Sequence, residues 1–343
     1  MTPPTLADLG WSDFFAAQLG AEDAGTPLRI TAVQRAEAVG LGVDGTVALM
    51  FPPDLSSGQL AVGDWVVSEP DSHRIARVLE RSSLLVRKAA GVEIKPQLIA
   101  ANVDTLFITT SCNADFNIAR LERYVAMALE ADCTPVILLT KADLAGDIDS
   151  YVAQARAISP RIADVIALNA KDPAALEPLR HWCGPGQTVA FIGSSGVGKS
   201  TLIGALTGTE LATSDIREDD AKGRHTTTAR SVHRIAGGGL LIDMPGMREL
   251  ALFDAASGIG ELFEDIVTLS QACRFRDCAH GGEPGCAIRA AIAAGDLDEG
   301  RFERWRKLRD EDAYLTRTVH EARQQGRAFG RMVKQTKRDK SRR

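Results

Sequence analysis

The chain has 343 residues, 45% hydrophobic and 25% charged, a balance ordinary for folded domains and a length suited to two or three of them. No uninterrupted run of 18 apolar residues occurs, which excludes a membrane-spanning helix. The N-terminus lacks a basic leader and is broken by Asp8 and Asp13, so no signal peptide is expected. The formal net charge of −5 is uneven, because residues 324–343 carry eight Lys and Arg against one Asp, a net of +7 that leaves −12 for residues 1–323.

From the N-terminus, Leu6, Leu9, Trp11, Phe14, Phe15 and Leu19 are spaced for a short helix that packs on something else. Between Pro27 and about Arg81 the pattern turns to short β-type runs at 28–33, 45–51, 64–67 and 75–79, separated by Gly, Pro, Asp and Ser. Closely spaced strands of this kind predict a small all-β barrel, either oligonucleotide-binding or purely structural. Residues 82–101 read as a connector.

Strands and helices then alternate: strand 104–110, a helix from about Ile118 with Leu121, Val125, Ala128 and Leu129 on one face, strand 135–139, a helix near 149–158, strand 164–168, a helix over 172–182 and strand 188–192. Such alternation implies a parallel sheet covered on both faces, with ligands at the carboxyl ends of its strands. A polar stretch, 213–230, precedes two strands, 231–235 and 240–242, joined by three glycines. A cysteine cluster, a charged helix over 296–321 and the basic tail complete the chain.

Three groups of residues carry chemistry. Gly193-Ser194-Ser195-Gly196-Val197-Gly198-Lys199-Ser200 fits the phosphate-loop pattern and lies between an apolar strand and a helix that opens with Thr201. Glycines there let several backbone N–H groups face one anion, Lys199 would reach the β- and γ-phosphates, and Ser200 would hold Mg²⁺. Asp243-Met244-Pro245-Gly246 ends the second strand after that loop, as in nucleotide switches, so Asp243 would hold Mg²⁺ through water and the Gly246 N–H would meet the γ-phosphate.

Upstream, Thr140-Lys141-Ala142-Asp143 resembles the Asn-Lys-x-Asp element that selects guanine, with Thr in place of Asn. Asp143 can accept two N–H bonds from guanine that adenine cannot donate, and the Lys141 stem would lie over the base. Asn169-Ala170-Lys171 resembles the Ser-Ala-Lys element, whose Ala N–H meets the guanine oxygen.

Cys273, Cys278, His280 and Cys286 form the third group. Three thiolates and an imidazole make a closed tetrahedral set, expected to hold one structural Zn²⁺. Cys112, Cys133 and Cys183 stand singly beside apolar segments and read as core residues.

The guanine elements precede the phosphate loop, the reverse of the ordinary order, which signifies a circularly permuted GTPase sheet. With a β domain before it, a cysteine cluster after it and Gly-Arg-His-Thr-Thr-Thr at 223–228, the chain resembles the circularly permuted small ribosomal subunit biogenesis GTPases of the RsgA family over roughly 27–300. The resemblance implies a multidomain protein with an extension at 1–26, an OB-type barrel at 27–85, a permuted α/β P-loop GTPase domain at 95–262, a mainly helical zinc-binding domain at 263–323 and a basic tail at 324–343. It further implies a cytoplasmic, subunit-stimulated GTPase that binds GTP and GDP, touches ribosomal RNA late in the subunit's maturation and is released on hydrolysis. A monomer with no membrane partner is expected.

Where many GTPases place a water-orienting Gln after Asp-x-x-Gly, this chain has Met247, whose thioether cannot do so. His225 is the candidate in its place, with a ribosomal group as rival. One threonine among Thr226, Thr227 and Thr228, Thr227 by preference, completes the magnesium set with Ser200 and Asp243. Gly196 stands where some GTPases hold K⁺ with Asn, so no potassium requirement is expected. Arg301, Arg304, Arg306, Lys307 and Arg309, on a helix whose apolar side is Phe302, Trp305 and Leu308, form with the tail an expected phosphate-binding surface. An RNA and zinc scaffold with a passive nucleotide clamp, and an ATPase, are the competing readings.

Overall fold

The computed structural model describes residues 4–20, 23–70, 72–88, 96–208, 231–244 and 254–316. His225, the 226–228 threonines, Gly246, Met247 and the basic tail lie outside them. The chain divides into two compact units, one of residues 1–85 with 98–249 and one of 86–97 with 250–343. Among the described residues no helix is long and apolar enough to cross a membrane.

The first unit opens with a one-turn helix, α1 (Asp13–Ala16), whose Phe15 joins Leu9 in packing on Trp65, Val67 and Leu79. Five strands follow: β1 (Pro27–Val33), β2 (Glu37–Gly42), β3 (Gly45–Met50), β4 (Trp65–Ser68) and β5 (Ile75–Val78), in the antiparallel order β3-β2-β1-β4-β5. A bridge from Met50 to Arg74 brings the two edges together, which curls the sheet into a partly closed barrel around Leu28, Ile30, Leu49, Val66 and Ile75. Strand β2, Glu-Ala-Val-Gly-Leu-Gly, is absent from the sequence reading because its two glycines lower strand propensity. Its pairing with both β1 and β3 decides its conformation.

The expected connector holds two paired strands, β6 (Leu84–Lys88) and β7 (Pro96–Ala101), which carry the chain out of the first unit and back. The alternating part comprises β8 (Thr105–Ser111), α2 (Ile118–Glu130), β9 (Thr134–Thr140), α3 (Ile148–Arg156), β10 (Asp164–Ala167), β11 (Thr188–Ile192), α4 (Lys199–Thr207), β12 (Ser231–Arg234) and β13 (Leu240–Asp243). Its sheet runs β10-β9-β8-β11-β13-β12, parallel except for the antiparallel edge strand β12. Strands β8 and β11 are buried along their whole length, as parallel strands covered on both faces must be. Phe107, Val136, Phe191, Leu202, Leu206 and Leu241 form the core on one face. The helix expected over 172–182 is instead a 3₁₀ segment, Pro173–His181, because Pro178 inside it has no N–H for an α-helical bond and its ring clashes with the preceding turn.

Barrel and sheet meet over a buried arginine. Arg29 on β1 donates from Nη1 to the Leu9 carbonyl at 2.5 Å and from Nη2 to the Asn102 carbonyl at 2.8 Å. Burial pushes its pKa down to about 10, opposed by Asp104 and Asp64. Asn102 in turn donates to the Gly63 carbonyl at 2.9 Å. Gly63 has φ +95°, and a Cβ there would lie 2.0 Å from the Ala101 carbonyl oxygen. Only glycine allows that approach.

The second unit is helical, with α5 (Ala256–Leu262), α6 (Glu264–Gln271), α7 (Ala287–Ala294) and α8, which runs over 299–316. The expected apolar side of α8, Phe302, Trp305 and Leu308, is buried. Its arginines are charge-balanced rather than bare: Arg301 pairs with Asp265 at 2.9 Å, Arg304 with Asp298 at 4.0 Å, Arg306 with Glu303 at 2.5 Å and Arg309 with Asp310 at 3.0 Å. This weakens the reading of that face as a cationic strip.

Candidate functional site

Every parallel strand of the sheet points its carboxyl end to the same edge, and every described motif residue of the expected nucleotide site stands there. The chain moves one way along the sheet through β8, β9 and β10 and the other way through β11 and β13, so β8 and β11 flank the crevice where open α/β sheets bind ligands. Residues 193–198 leave β11 at this crevice and lead into α4.

Three backbone features give the loop its form. Gly193 has φ +149°, and a Cβ on it would lie 2.1 Å from the Thr109 carbonyl oxygen, so the loop can leave the sheet only at a residue without a side chain. Gly196 and Gly198 have φ +76° and +102°. With these left-handed turns the chain curls into a cradle that ends at the N-terminus of α4, where unpaired N–H groups and the helix dipole favour an anion. Val197 is buried as the loop's anchor, while Ser195, Gly196 and Ser200 are exposed. The Lys199 ammonium folds over the loop, donating to the Gly193 carbonyl at 2.6 Å and to the Ser194 carbonyl.

The end of β9 is joined to this loop. Thr140 is fully buried, and its Oγ1 donates to the Val197 carbonyl at 2.5 Å, with the Thr110 carbonyl at 3.2 Å. Lys141 follows with φ +56°, a left-handed turn that opens the 3₁₀ segment Ala142–Leu144 and leaves Asp143 exposed. At the neighbouring strand end the Asn169 carboxamide accepts from the Lys171 N–H at 3.0 Å, and the Ala142 N–H donates to the Leu168 carbonyl at 3.3 Å, so the two turns are tied together. A Cβ built on Gly198 would meet the side chains of both Thr140 and Ala170 at 3.8 Å. The three segments therefore converge on one glycine. Thr201 lies in the first turn of α4, half-buried.

On the other flank, Asp243 ends β13 opposite Ser231. Burial pushes its carboxyl pKa up, and His233 partly offsets this. Ser231 Oγ and His233 Nε2 lie 2.8 Å apart. One residue without any motif also reaches the phosphate loop: Arg120, in the first turn of α2, hydrogen-bonds the Ser194 hydroxyl and pairs with Asp115 at 2.7 Å. No spacing rule marks it, and only the crossover from β8 to α2 brings it to the loop.

The second unit holds a separate site. The side-chain donors of Cys273, Cys278, His280 and Cys286 lie within 4.8 Å of one another. His280 Nδ1 is 3.6 Å from the sulfurs of both Cys273 and Cys286. Zinc bonds of about 2.3 Å to sulfur and about 2.0 to 2.1 Å to nitrogen, at a tetrahedral angle, would set those atoms about 3.6 Å apart, so the donor set fits Zn²⁺. His280 adopts φ +59° within a loop that Glu283 holds: its carboxylate accepts from the N–H groups of Ala279 at 2.9 Å, Gly281 at 2.8 Å and Gly282 at 3.1 Å. Backbone hydrogen bonds hold the Glu283 pKa down at about 2. Burial opposes the Cys273 thiolate, but N–H bonds from Ala287 and Ile288, together with hydrogen bonds from Cys278 and Cys286, outweigh it and lower that pKa. Cys112, Cys133 and Cys183 are buried apart from this cluster.

Comparison with known proteins agrees with the geometry. The family model described as RsgA GTPase matches residues 78–253. A small ribosomal subunit biogenesis GTPase RsgA from Mesorhizobium japonicum is 56% identical over 318 residues, covering 91% of this chain and 91% of the relative. An RsgA 2 from Vibrio parahaemolyticus is 46% identical, covering 100% of this chain and 95% of the relative. Among solved structures, YjeQ from Thermotoga maritima superimposes with a TM-score of 0.60 at 22% identity over 82% of this chain and 96% of its own. YloQ, a circularly permuted GTPase, does so with 0.59 at 23% identity over 86% and 98%. At such identities the likeness to these two structures concerns the fold.

Proposed function

The chain belongs to the RsgA family of small ribosomal subunit biogenesis GTPases, and for this GTP hydrolase we propose that the small ribosomal subunit is the partner and that residues 193–200, 140–143, 169–171 and 243–246 form the nucleotide site. The observation that carries this reading is the convergence on Gly198: one side of it faces Thr140 and Ala170, and the other continues into Lys199 and Ser200. A nucleotide with its phosphates in the loop would therefore have its base beside Asp143 and Ala170. Asp143 accepts from the two N–H groups of guanine, and Lys199 reaches the β- and γ-phosphates.

Ser200 and Asp243 offer hard oxygen groups suited to Mg²⁺, which Asp243 would hold through water, and Thr227 would complete the set. When bound there, the ion neutralises charge that builds up on the transferred phosphoryl group. Met247 cannot orient the attacking water, so His225 or a group of the subunit does, which makes hydrolysis slow alone and fast on the ribosome. The barrel of residues 27–85, the zinc-bearing region 263–323 and the tail 324–343 contact ribosomal RNA, and hydrolysis late in maturation releases the protein, a cytoplasmic monomer.

Phosphate release from GTP and from ATP, with and without purified small subunits, tests this reading for wild type, Asp143→Asn and His225→Ala. Wild type should hydrolyse GTP alone, faster with subunits. Asp143→Asn should lose GTP binding, and His225→Ala should bind GTP while losing the stimulation. ATP turnover, or stimulation that survives His225→Ala, would overturn the respective part.

A further inference from the structure

We propose that Arg120 is a positioning residue of the phosphate loop, one that holds the loop's first turn when Lys199 turns to a nucleotide. The inference rests on the reading of residues 193–200 as the phosphate site. Ser194 is gripped at two points by cations, its carbonyl by the Lys199 ammonium and its hydroxyl by the Arg120 guanidinium. The Lys199 ammonium has three N–H donors and must share them between the loop carbonyls and any bound phosphate, so a nucleotide weakens this grip. The other remains.

Arg120 is built to stay. Asn117 caps α2 by accepting from the Arg120 N–H at 3.0 Å, which fixes the backbone. Asp115 Oδ1 accepts from Arg120 Nη1 at 2.7 Å, which fixes the end of the guanidinium that holds Ser194. The Asn113 carboxamide oxygen accepts from the Asp115 N–H at 2.9 Å and from the hydroxyl of Ser111, the last residue of β8, also at 2.9 Å. A run of hydrogen bonds thus ties the end of β8 to the loop that leaves β11, across the crevice between these strands. Both acceptors are served by one nitrogen, Nη1, whose two N–H directions the planar guanidinium fixes, whereas a lysine ammonium on a flexible stem is less pre-organised. A loop whose N–H groups are held in place loses less freedom on binding, so the benefit lies in affinity for the phosphates common to GDP and GTP.

Equilibrium titration with mant-GDP and mant-GTP tests this on the full chain with Arg120→Ala, Arg120→Lys, Ser194→Ala, the Arg120→Ala/Ser194→Ala pair and Lys199→Ala. Arg120→Ala should raise the Kd of both nucleotides about tenfold, the scale of one charged hydrogen bond. Arg120→Lys should fall between it and wild type. The double variant should bind no worse than the poorer single one, because both changes break one contact. In GTP turnover the Arg120→Ala loss should fall mainly on KM rather than kcat. Wild-type affinity in Arg120→Ala, multiplying losses in the double variant, or a loss confined to kcat would each overturn the proposal. Should Arg120→Ala not fold, Ser194→Ala must show the same joint loss of both nucleotides, and wild-type binding by it overturns the proposal. Undiminished binding by Lys199→Ala would refute the phosphate-loop reading itself, separately from Arg120.

Discussion

Replacing Thr140 by Val tests the joint between the proposed base-reading and phosphate-holding halves of the site. Valine keeps the β-branched shape and the pairing of β9 with β8, so the change removes one hydroxyl from a fully buried position. That hydroxyl has a single proton, given chiefly to the Val197 carbonyl at 2.5 Å rather than to the Thr110 carbonyl at 3.2 Å. An acceptor left unpaired in a buried place costs about 1–3 kcal/mol. Without nucleotide the exposed neighbours Ser195 and Gly196 let the loop shift and expose the Val197 carbonyl to water, so the folded state should bear only the lower end of that range. A loss of about 1 kcal/mol lowers the melting temperature by about 2–4 °C in a unit of this size. The remainder falls on binding, which requires the loop to return. A further 1–2 kcal/mol corresponds to a rise of roughly 5- to 30-fold in the Kd of GTP and GDP alike. Thermal melting without nucleotide and mant-nucleotide titration measure the two parts, with Thr140→Ser as the variant that keeps the proton. Wild-type affinity and melting in Thr140→Val, or a Thr140→Ser as impaired as Thr140→Val, would refute the reasoning.

Gly63→Ala should destabilise the first unit by about 3 kcal/mol or more, since its φ of +95° and the 2.0 Å approach to the Ala101 carbonyl force the backbone to move; an unchanged denaturation midpoint would contradict this. Glu283→Gln should speed zinc loss to a chelator about tenfold, because an amide NH₂ would face N–H donors that a carboxylate accepts from. The folded Glu283 pKa of about 2 lies below the free value of 4.5, so its hold on the loop is complete above pH 4.5 and is lost as the pH falls toward 2; the variant should imitate the protonated carboxyl at neutral pH. Burial pushes the Cys112 thiol to about 11 and those of Cys133 and Cys183 to about 12, so in native protein at neutral pH mass spectrometry should find these three unalkylated by iodoacetamide. Cys273, Cys278 and Cys286 should become alkylated once zinc is chelated.

The parts of the site legible in the sequence are those where backbone geometry restricts the residue. Gly193 and Gly198 stand where no side chain fits or where φ is positive, and a regular spacing records that restriction. Asp143 and Asn169 are found because each ends a run of apolar residues that can only be a buried strand. Thr140 shows the limit of such reading: its departure from Asn leaves a bracing bond in doubt, whereas the structure gives the hydroxyl the Val197 carbonyl as partner. Asn would offer two N–H donors there, and a hydroxyl suffices for the one short contact. Arg120 is not legible at all, since an arginine near a helix start is common and its meaning comes from a crossover that places it beside a loop 74 residues away. Arg29 is hidden for the same reason, as its partners Leu9 and Asn102 belong to segments remote in sequence.

The permuted order follows from where the site lies in the sheet. A ligand at the carboxyl edge would meet strand ends in the spatial order β10, β9, β8, β11 and β13, and this order is indifferent to which strand comes first in the chain. Joining β10 to β11 through the 3₁₀ segment Pro173–His181, in place of a link from β13 to β8, leaves every contact at that edge intact and alters only what is attached at the free ends. The start of β8 becomes continuous with the barrel through β7, and Asn102 at that junction is the residue that Arg29 and Gly63 hold. The chain beyond β13 leads in sequence to α5 and the metal-bearing unit. Permutation thus leaves the carboxyl edge of the sheet as it was while making the chain after β13 continuous with the cysteine cluster and the chain before β8 continuous with the barrel.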